Sequence, residues 1–580
     1  MPLPEYNGTL GLKRAAHLLR RATFGATKSQ IDEYAALTPA QAITQLFRST
    51  LPNPVLPPDP ETGLPWFEIP ENDANSDDDE LQTYFKSWFI GQMMSEGIAP
   101  NLSLAYSARE KLVFFLHSHF TCIQSKVSSS RAMYFQNQLF RLFARDAMDP
   151  LPEVNFKELT VKVSVDQAML RLLDGNLNVK GSPNENYARE LLELYTIGRG
   201  LEGTLPSPSG PGDYILFTEE DVQAAAKVLS GWELDDDFVT RDPDTNLPRG
   251  KVRGGTMNAS AHDNDPKTFS SRFNNAVIQG DPLLMNGGNA TEESALDEIR
   301  QLIDLIYSKP ETAKNICWKI YRFFVYAPHT PATALAIDGP IITEMANTLV
   351  ANGYKIQPVI ENLLRSQHFY EASAGDVKDD NFGGIIKSPL DLVLGTLRAF
   401  SISLPSMTTQ TEQFYMATEE IQGAIGNLGM NFYEPYDVAG YEAYHQYPIY
   451  HRSWITPNYL ARRYEFVRNV VTRANAQMFS VNVYDYVDTN FPTQAPDARA
   501  LIIALASYFL PMADNLSFDD ATDDTASLTY QRLNYFRSRF LQQFDEAYWT
   551  TRWNEGAIDL RDQLEFLFNA LLQSPEYQLA

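Results

Sequence analysis

Signals that start and stop helices recur along the whole chain, and they limit its fold more than any other feature. Thr38 followed by Pro39 is typical of an N-cap and a first helical position. Ser107 with Glu110 three residues later is typical of a capping box, and Thr218 precedes the run EEDVQAAAKVLS. Apolar spacing near 3.6 predicts further helices at about 292–308, 312–326, 339–352, 389–401, 412–425, 457–473, 496–510, 527–545 and 559–573.

Alternation typical of strands is scarce, and only Leu159–Ser164 and Tyr214–Phe217 show it. Three stretches are predicted as loops from their Pro, Gly, Asp and Asn content: 51–80, 233–290 and 511–527. We therefore expect a mainly α, large multi-helix globular fold with long loops and few short strands. The length of 580 residues favours two helical lobes, 1–290 and 291–580, with one continuous large domain as the alternative.

Charge excludes one class of partner. The chain carries 47 Lys and Arg against 73 Asp and Glu, a formal net charge of −26, which repels phosphate backbones and argues against nucleic-acid binding. No apolar run is long enough for a membrane span, and no secretory signal is visible at the start. The acidic, Asn- and Tyr-rich composition nevertheless suits an extracellular or cell-envelope protein, with a cytoplasmic location as the alternative. Cys122 and Cys317 lie in apolar runs and are expected to be buried thiols.

Several familiar catalytic motifs are absent: G-x-S-x-G, H-E-x-x-H, the P-loop and G-x-G-x-x-G. The segment 183–197, PNENYARELLELYTI, is the first candidate site instead, because Ser182, Pro183 and Glu185 predict a helix start there. One helical face would carry Leu and Tyr, and the other would carry polar residues. If this polar face is exposed to solvent, it is an ordinary helix surface without a functional role. If other elements cover it, its carboxylates are candidates for acid/base catalysis or metal ligation. The candidate catalytic residues on it are Glu185, Arg189, Glu190 and Glu193.

Histidines supply the remaining candidates. His117 and His119 lie in FFLHSHF; in a helix they point in different directions, whereas in an extended segment both could bind one metal. The loop SAHDNDPKTF adds His262, Asp263 and Lys267, and loops often carry functional side chains. A divalent metal ion held by His117, His119, Glu190 and His262 is one hypothesis, with buried or solvated histidines as the alternative.

Several segments of the chain, in this order, resemble a known bacterial family, the domain-of-unknown-function family 1800 (DUF1800). The segments are AAHLLRRATFGAT (15–27), KLVFFLHSHFT (111–121), QAMLRLLDGNLNVKGSPNENYARELLELYTIGRG (167–200), FTEEDVQAAAKVLSGW (217–232), AHDNDPKTF (261–269), GMNFYEPYDVAGY (429–441), SWITPNYLARR (453–463) and LLQSPEY (571–577). The resemblance covers nearly the whole chain. It implies a largely helical protein, export in many members, and no settled activity. It also implies a partner, a sulfatase-like protein of the DUF1501 family.

Three functions are compatible with these residues. The first is a metal-dependent or acid/base hydrolase-like enzyme acting on an envelope or extracellular polymer, with the loop carrying His262, Asp263 and Lys267 lying over the carboxylates of 183–197. Aromatic residues in 434–454 would stack against sugar rings, or simply pack in the interior. The second is a structural or interaction protein of the envelope that works with the sulfatase-like partner. The third is a metal-bound oxidoreductase.

Overall fold

Helices dominate the computed structural model, which describes residues 3–68, 78–146, 154–371, 381–472, 479–513, 516–519 and 528–580. In these ranges the strands are two residues long and form two antiparallel pairs. β1 (Trp232–Glu233) pairs with β2 (Lys251–Val252), and β3 (Lys267–Thr268) pairs with β4 (Val277–Ile278). The prediction of a mainly α fold with few short strands is confirmed.

The helices of the first half surround the polypeptide that carries most candidate residues. They are α1 (Gly11–Ala22), α2 (Lys28–Ala35), α3 (Pro39–Leu46), α4 (Asp78–Met94), α5 (Ser103–His119), α6 (Gln124–Val127), α7 (Ser130–Phe143), α8 (Phe156–Ser164), α9 (Gln167–Leu172), α10 (Asn186–Glu190) and α11 (Glu219–Val228). A π-helical segment, Leu191–Tyr195, continues α10 directly and is called the π-turn below.

The helices of the second half are α12 (Glu292–Tyr307), α13 (Pro310–Phe324), α14 (Pro331–Ile337), α15 (Thr343–Ala351), α16 (Ile356–Arg365), α17 (Pro389–Ala399), α18 (Thr411–Asn427), α19 (Glu442–His445), α20 (Pro457–Val471), α21 (Val483–Asn490), α22 (Ala498–Phe509), α23 (Tyr530–Leu541), α24 (Glu546–Asn554) and α25 (Arg561–Leu572). The segments predicted from apolar spacing in the second half agree closely with helices, but α14, α16, α19, α21 and α24 were not predicted. A second π-helical stretch, Asp338–Ile342, lies between α14 and α15. None of the helices in the described ranges has the length and apolarity that crossing a bilayer requires.

The helix starts predicted at Thr38 and Thr218 are confirmed, whereas those predicted at Ser182 and Ser107 are wrong, since α10 begins only at Asn186. Thr38 caps α3 in a capping box with Gln41, and Thr218 caps α11. The capping box expected at Ser107 is wrong, because α5 begins four residues earlier. The Ser107 hydroxyl instead accepts the backbone N–H of Phe24 at 3.1 Å. It therefore joins two elements rather than starting one.

Both expected strands are wrong. Residues 159–164 belong to α8, where every one of them is buried, so their alternation of β-branched and polar residues does not mark one exposed face. Residues 214–217 form a turn closed by a bridge between Asp213 and Thr218. In the predicted loop 51–80, residues 51–68 contain the short helical turn Trp66–Glu68 and a bridge between Pro58 and Pro65, whereas residues 78–80 belong to α4. The predicted loop 233–290 contains the strand pairs, apart from Trp232, and the helical turn Ser271–Phe273. Residues 69–77, 514–515 and 520–527 lie outside the described residues.

One hydrophobic core draws on both halves of the chain. Helix α4 packs on α18, α3 packs on α16, and α8 packs on α12. Arg398 of α17 donates to the carbonyl groups of Gly25 and Met94 at 2.8 and 2.9 Å. Contacts of this kind tie residues on either side of position 290 together. The division into lobes 1–290 and 291–580, and its one-domain alternative, stay predictions.

A buried ion network holds α5 to α7. Glu110 is fully buried and accepts from Arg109 at 2.9 Å and from Arg141 at 2.6 Å. Burial alone would raise the pKa of Glu110, but the guanidinium groups of Arg141 and Arg109 outweigh it and lower that pKa. The carboxylate therefore stays charged inside the core and needs both partners.

We predict that Glu110→Gln destabilises the protein by about 3–5 kcal/mol, because it leaves two buried guanidinium groups without a counter-charge. Chemical denaturation at pH 7 measures this. The control is Arg462→Gln, which removes the exposed Arg462–Glu465 pair (side chains 51% and 42% exposed) and should cost less than about 1 kcal/mol. Equal losses in the two variants would contradict the assignment of a required buried network.

Candidate active site

The segment predicted as one α-helix over 183–197 changes geometry midway. It begins at Asn186 as α10, and from Leu191 to Tyr195 it becomes the π-turn. The wider winding changes the angle between successive side chains, yet Leu191, Leu192 and Tyr195 are buried, as expected for the apolar face. Turns of this kind are frequent at functional sites.

Side chains from two other helices hold the carbonyl groups at the end of the π-turn. The end of any helix leaves such groups without partners inside the helix. Here Lys319 donates to the carbonyl of Leu194 at 2.6 Å. His119 donates to the carbonyl of Tyr195, and Asn315 donates to that of Thr196, both at 2.8 Å. Helices α5 and α13 thus determine where the polar side chains of this segment lie.

His119 is a positioning residue for the π-turn. Its Nε2 faces the Tyr195 carbonyl, so this nitrogen carries the proton and donates it. Burial, and next the positive charge of Lys319, lower the pKa of His119 well below its usual value. The ring is therefore neutral, and its second nitrogen has no hydrogen-bond partner among the described residues.

Glu190, the last residue of α10, has the perturbed chemistry expected of an acid catalyst. Its side chain is half-buried, and burial, followed by the negative charge of Glu193, raises the pKa of Glu190 to about 7. Glu193 forms an ion pair with the largely exposed Arg199. A carboxyl that keeps its proton near neutral pH beside other carboxylates is the arrangement in which one acid donates a proton and another accepts one.

The second carboxylate of the site, that of Asp437, lies on the loop before α19. Asp437 is close enough to Glu190 for its charge to raise the pKa of Glu190 further. Its carboxylate accepts the backbone N–H of Ala439 at 2.8 Å and lies 3.8 Å from the Nε2 of His445. Gly440 makes this placement possible: at φ +101° a Cβ there would lie 2.7 Å from the hydroxyl of Thr121.

Lys319 and His445 add two more shifted groups to this cluster. Burial, and next the charge of Arg322, lower the pKa of Lys319 to about 7. Burial also lowers the pKa of His445, against the opposing charge of Asp437. Lys319, Asp437 and His445 were not predicted as site residues from the sequence. The only signal pointing to Asp437 was its place in the segment GMNFYEPYDVAGY, and Lys319 had none.

The other end of α10 holds a more exposed carboxyl pair. Arg189 donates to Glu219 of α11 at 2.7 and 2.8 Å and to Glu185 at 3.3 Å. Hydrogen bonds from Arg189 lower the pKa of Glu219 to about 2, whereas burial and the hydrogen bond shared with Glu219 raise the pKa of Glu185. Tyr214 also donates to Glu219, at 2.8 Å. Arg189 therefore anchors α10 to α11.

The loop that carries His262 belongs to a separate, closed cluster. His262 donates through Nδ1 to the Ser230 carbonyl at 2.9 Å, and its Nε2 lies 3.3 Å from Glu298, which also pairs with Lys267. These three side chains are at most 1% exposed. Asp263 receives the backbone N–H of Asp265 at 3.0 Å. The structure places these residues against Ser230 and Glu298. Glu298 was not selected from the sequence.

The four residues predicted as metal ligands are not brought together. His117 stacks on Tyr433 with the ring centroids 3.9 Å apart, and burial lowers its pKa to about 3. His119 donates to the Tyr195 carbonyl, and His262 contacts Ser230 and Glu298. The neighbours of Glu190 that raise its pKa are other carboxylates. In the described ranges no three His, Cys, Asp or Glu side chains form a group that could hold a metal ion. These residues do not fit a shared metal site; a divalent metal elsewhere stays a prediction.

Comparison with known proteins identifies one family. A family model described as "Protein of unknown function (DUF1800)" matches residues 17–579, nearly the whole chain. This confirms the resemblance seen in the sequence. No curated protein and no solved structure matches the chain.

We predict that Gly198→Ala destabilises the protein more than Gly181→Ala does. Both glycines have positive φ (+75° and +80°), so both variants lose the conformational freedom of glycine, at about 1–3 kcal/mol. Only at position 198 would the new Cβ meet a side chain, that of Asn315 at 2.8 Å. Denaturant unfolding of both variants isolates the contribution of the π-turn contact. Equal losses of stability in the two variants would show that the Asn315 side chain moves aside at no cost in free energy.

We predict that the stability gained by Glu190→Gln depends on pH. The folded pKa of about 7 exceeds the unfolded value of about 4.3, so wild type loses stability as pH rises between these two values, and glutamine does not. The free energy of unfolding of the variant relative to wild type should therefore rise between pH 5 and pH 8. Glu220→Gln, at an exposed position of α11, is the control and should show no such slope. A pH-independent difference for Glu190→Gln would contradict the raised pKa.

Proposed function

This chain belongs to the DUF1800 family, and on that premise we propose that it is an acid/base hydrolase with Glu190 as its general acid. The observation that carries the proposal is the raised pKa of Glu190, about 7, at a half-buried carboxyl with a second carboxylate, Asp437, nearby. Pairs of carboxyl groups in unequal environments are the usual equipment for cleaving glycosidic bonds.

The proposed reaction needs one proton donor and one acceptor. Glu190 gives its proton to the oxygen of the leaving group as the bond from carbon to that oxygen breaks. Asp437 takes a proton from the attacking water, whose oxygen forms the new bond to carbon. Asp437 is suited to this because it is 47% exposed and is oriented by the N–H of Ala439. Each turnover consumes one water and returns both carboxyl groups to their starting states by proton exchange with solvent.

The neighbourhood of Asp437 supports a carbohydrate polymer as the substrate. Tyr436 is 89% exposed, although burial of an aromatic ring is normally favourable. Other aromatic residues of 434–454, among them Tyr441, Tyr450 and Trp454, are buried and serve the core. An exposed ring beside the proposed base is suited to stacking against a sugar. The proposal therefore concerns a glycan of the cell envelope or the extracellular space.

We predict that Glu190→Gln and Asp437→Asn each reduce kcat/KM for polymer cleavage by about 10²–10⁴-fold, as the loss of an acid or a base does. Release of reducing ends from a panel of bacterial and plant polysaccharides measures this. Because Glu190 must be protonated, wild-type kcat/KM should fall as pH rises through about 7. The residual kcat/KM of Glu190→Gln should not fall as pH rises through about 7.

Two variants make the test specific. Glu220→Gln removes an exposed acid of α11 and should retain full activity. Glu185→Gln alters the other carboxyl pair and should retain activity within about tenfold, since Arg189 still bridges α10 to α11 through Glu219. Loss of activity in Glu185→Gln with retention in Glu190→Gln would overturn the assignment of the acid. Absence of any cleavage by the wild-type protein would favour the alternative below.

A structural role in the cell envelope is the second candidate. The closed cluster of His262, Lys267 and Glu298 favours it, because fully buried polar networks can specify one packing arrangement without touching a substrate. In that case the protein would work by assembly, with the sulfatase-like DUF1501 protein as the partner. Co-purification with that partner from intact cells, together with no cleavage in the polysaccharide panel, would support it.

A further inference from the structure

A small cavity lies among α1, α17, α22 and the last residues of the chain, away from the residues proposed for catalysis. Its volume is about 60 Å³, which accommodates several water molecules or one compact organic ion. Its walls are largely apolar and include Leu19, Phe24 and Phe509. Three cationic side chains, Arg20, Lys28 and Lys387, also line it. An apolar cavity with a few convergent polar groups is the usual form of a binding site for a small molecule.

Arg20 and Lys387 have no acidic partner in the described part of the chain. Arg20 donates to the carbonyl of Tyr508 at 2.6 Å. Lys387 is 7% exposed, donates to the carbonyl of Tyr577 at 2.6 Å, and places its ammonium group 3.7 Å from the centroid of the same ring. Carbonyl groups satisfy one donor of each side chain but do not neutralise either charge.

The other charged side chains lining the cavity already have partners, and the backbone oxygen of Ala580, which also lines it, accepts from Arg21 at 2.6 Å. Asp391 forms an ion pair with Lys111, and Lys28 pairs with Asp32 at 2.7 Å. Next to the cavity Arg463 adds a further cation, since it donates to the backbone carbonyl of Lys387 at 2.6 Å. The interior here is therefore positive, although the protein as a whole carries a net charge of −26.

Such an arrangement destabilises the folded protein unless an anion joins it, because an unpaired buried charge is costly. Burial, and next the charges of Arg20 and Arg463, lower the pKa of Lys387 well below its usual value. Burial also lowers the pKa of Arg20 to about 10. Both shifts have the direction expected of cations that lack a counter-ion.

We propose that this cavity binds a small carboxylate, with its carboxyl group between Arg20 and Lys387 and a short apolar end against Leu19, Phe24 and Phe509. The guanidinium group of Arg20 matches the geometry of a carboxylate. The apolar walls favour an organic acid over inorganic phosphate, which would leave them in contact with charged oxygens. The site is independent of Glu190 and Asp437.

The test is binding of acetate and propionate to the full-length protein, with sodium chloride and inorganic phosphate as comparison anions at equal ionic strength. We expect a saturable rise in melting temperature with both carboxylates, larger for propionate, since a ligand that binds only the folded state stabilises it. Titration calorimetry should give one site per chain. Chloride and phosphate should produce no saturable rise.

Two variants locate the site. Arg20→Gln removes a part-buried cation at little risk to folding, and Lys387→Met removes the second charge while keeping its apolar stem. Each should weaken propionate binding at least tenfold. The control, Arg462→Gln, removes a surface guanidinium elsewhere and should leave binding unchanged. Wild-type affinity in Arg20→Gln, or stabilisation by phosphate equal to that by propionate, would overturn the proposal.

Discussion

The candidate active site depends on three side chains that hold the carbonyl groups at the end of the π-turn. Lys319, His119 and Asn315 come from α13 and α5, and each donates to a different carbonyl at 2.6–2.8 Å. Without them the turn would present unpaired acceptors in a partly buried place, which folded proteins avoid. The carboxyl of Glu190 is therefore positioned by packing that originates far from it in the sequence.

Buried cations paired with carbonyl groups recur throughout this protein. Arg398, Arg145 and Arg463 each donate to backbone oxygens between segments distant in sequence. A guanidinium group suits this task because its donors spread in a plane and reach several acceptors at once. Backbone acceptors, however, supply no negative charge. This difference separates the Glu110 network, where carboxylate and guanidinium compensate each other, from the cavity at Arg20 and Lys387.

The sequence predicted the helices well wherever their ends are encoded locally. Thr38 and Thr218 act as caps within three residues of their partners, and apolar spacing placed the longer helices of the second half to within a few residues but missed the shorter ones. Helix α5 was placed less well, since nearly all its side chains are buried and it has no polar face to show its phase. The same holds for residues 159–164 of α8. All of them are buried, so their alternation of β-branched and polar side chains suggested a strand although they form a helix.

The candidate site was only half predictable, for a related reason. Glu190 was selected because its helix has a polar face, but its raised pKa comes first from burial, then from the charge of Glu193, and least from Asp437, which lies 247 positions further along the chain. Glu298, which lies 3.3 Å from His262, was not predicted because no spacing rule connects the two residues. The π-turn itself has a further consequence for related chains. Because this wider winding accommodates one residue more than an α-helix does, losing a single residue within 191–195 would restore regular winding and change which carbonyl groups face Lys319 and His119.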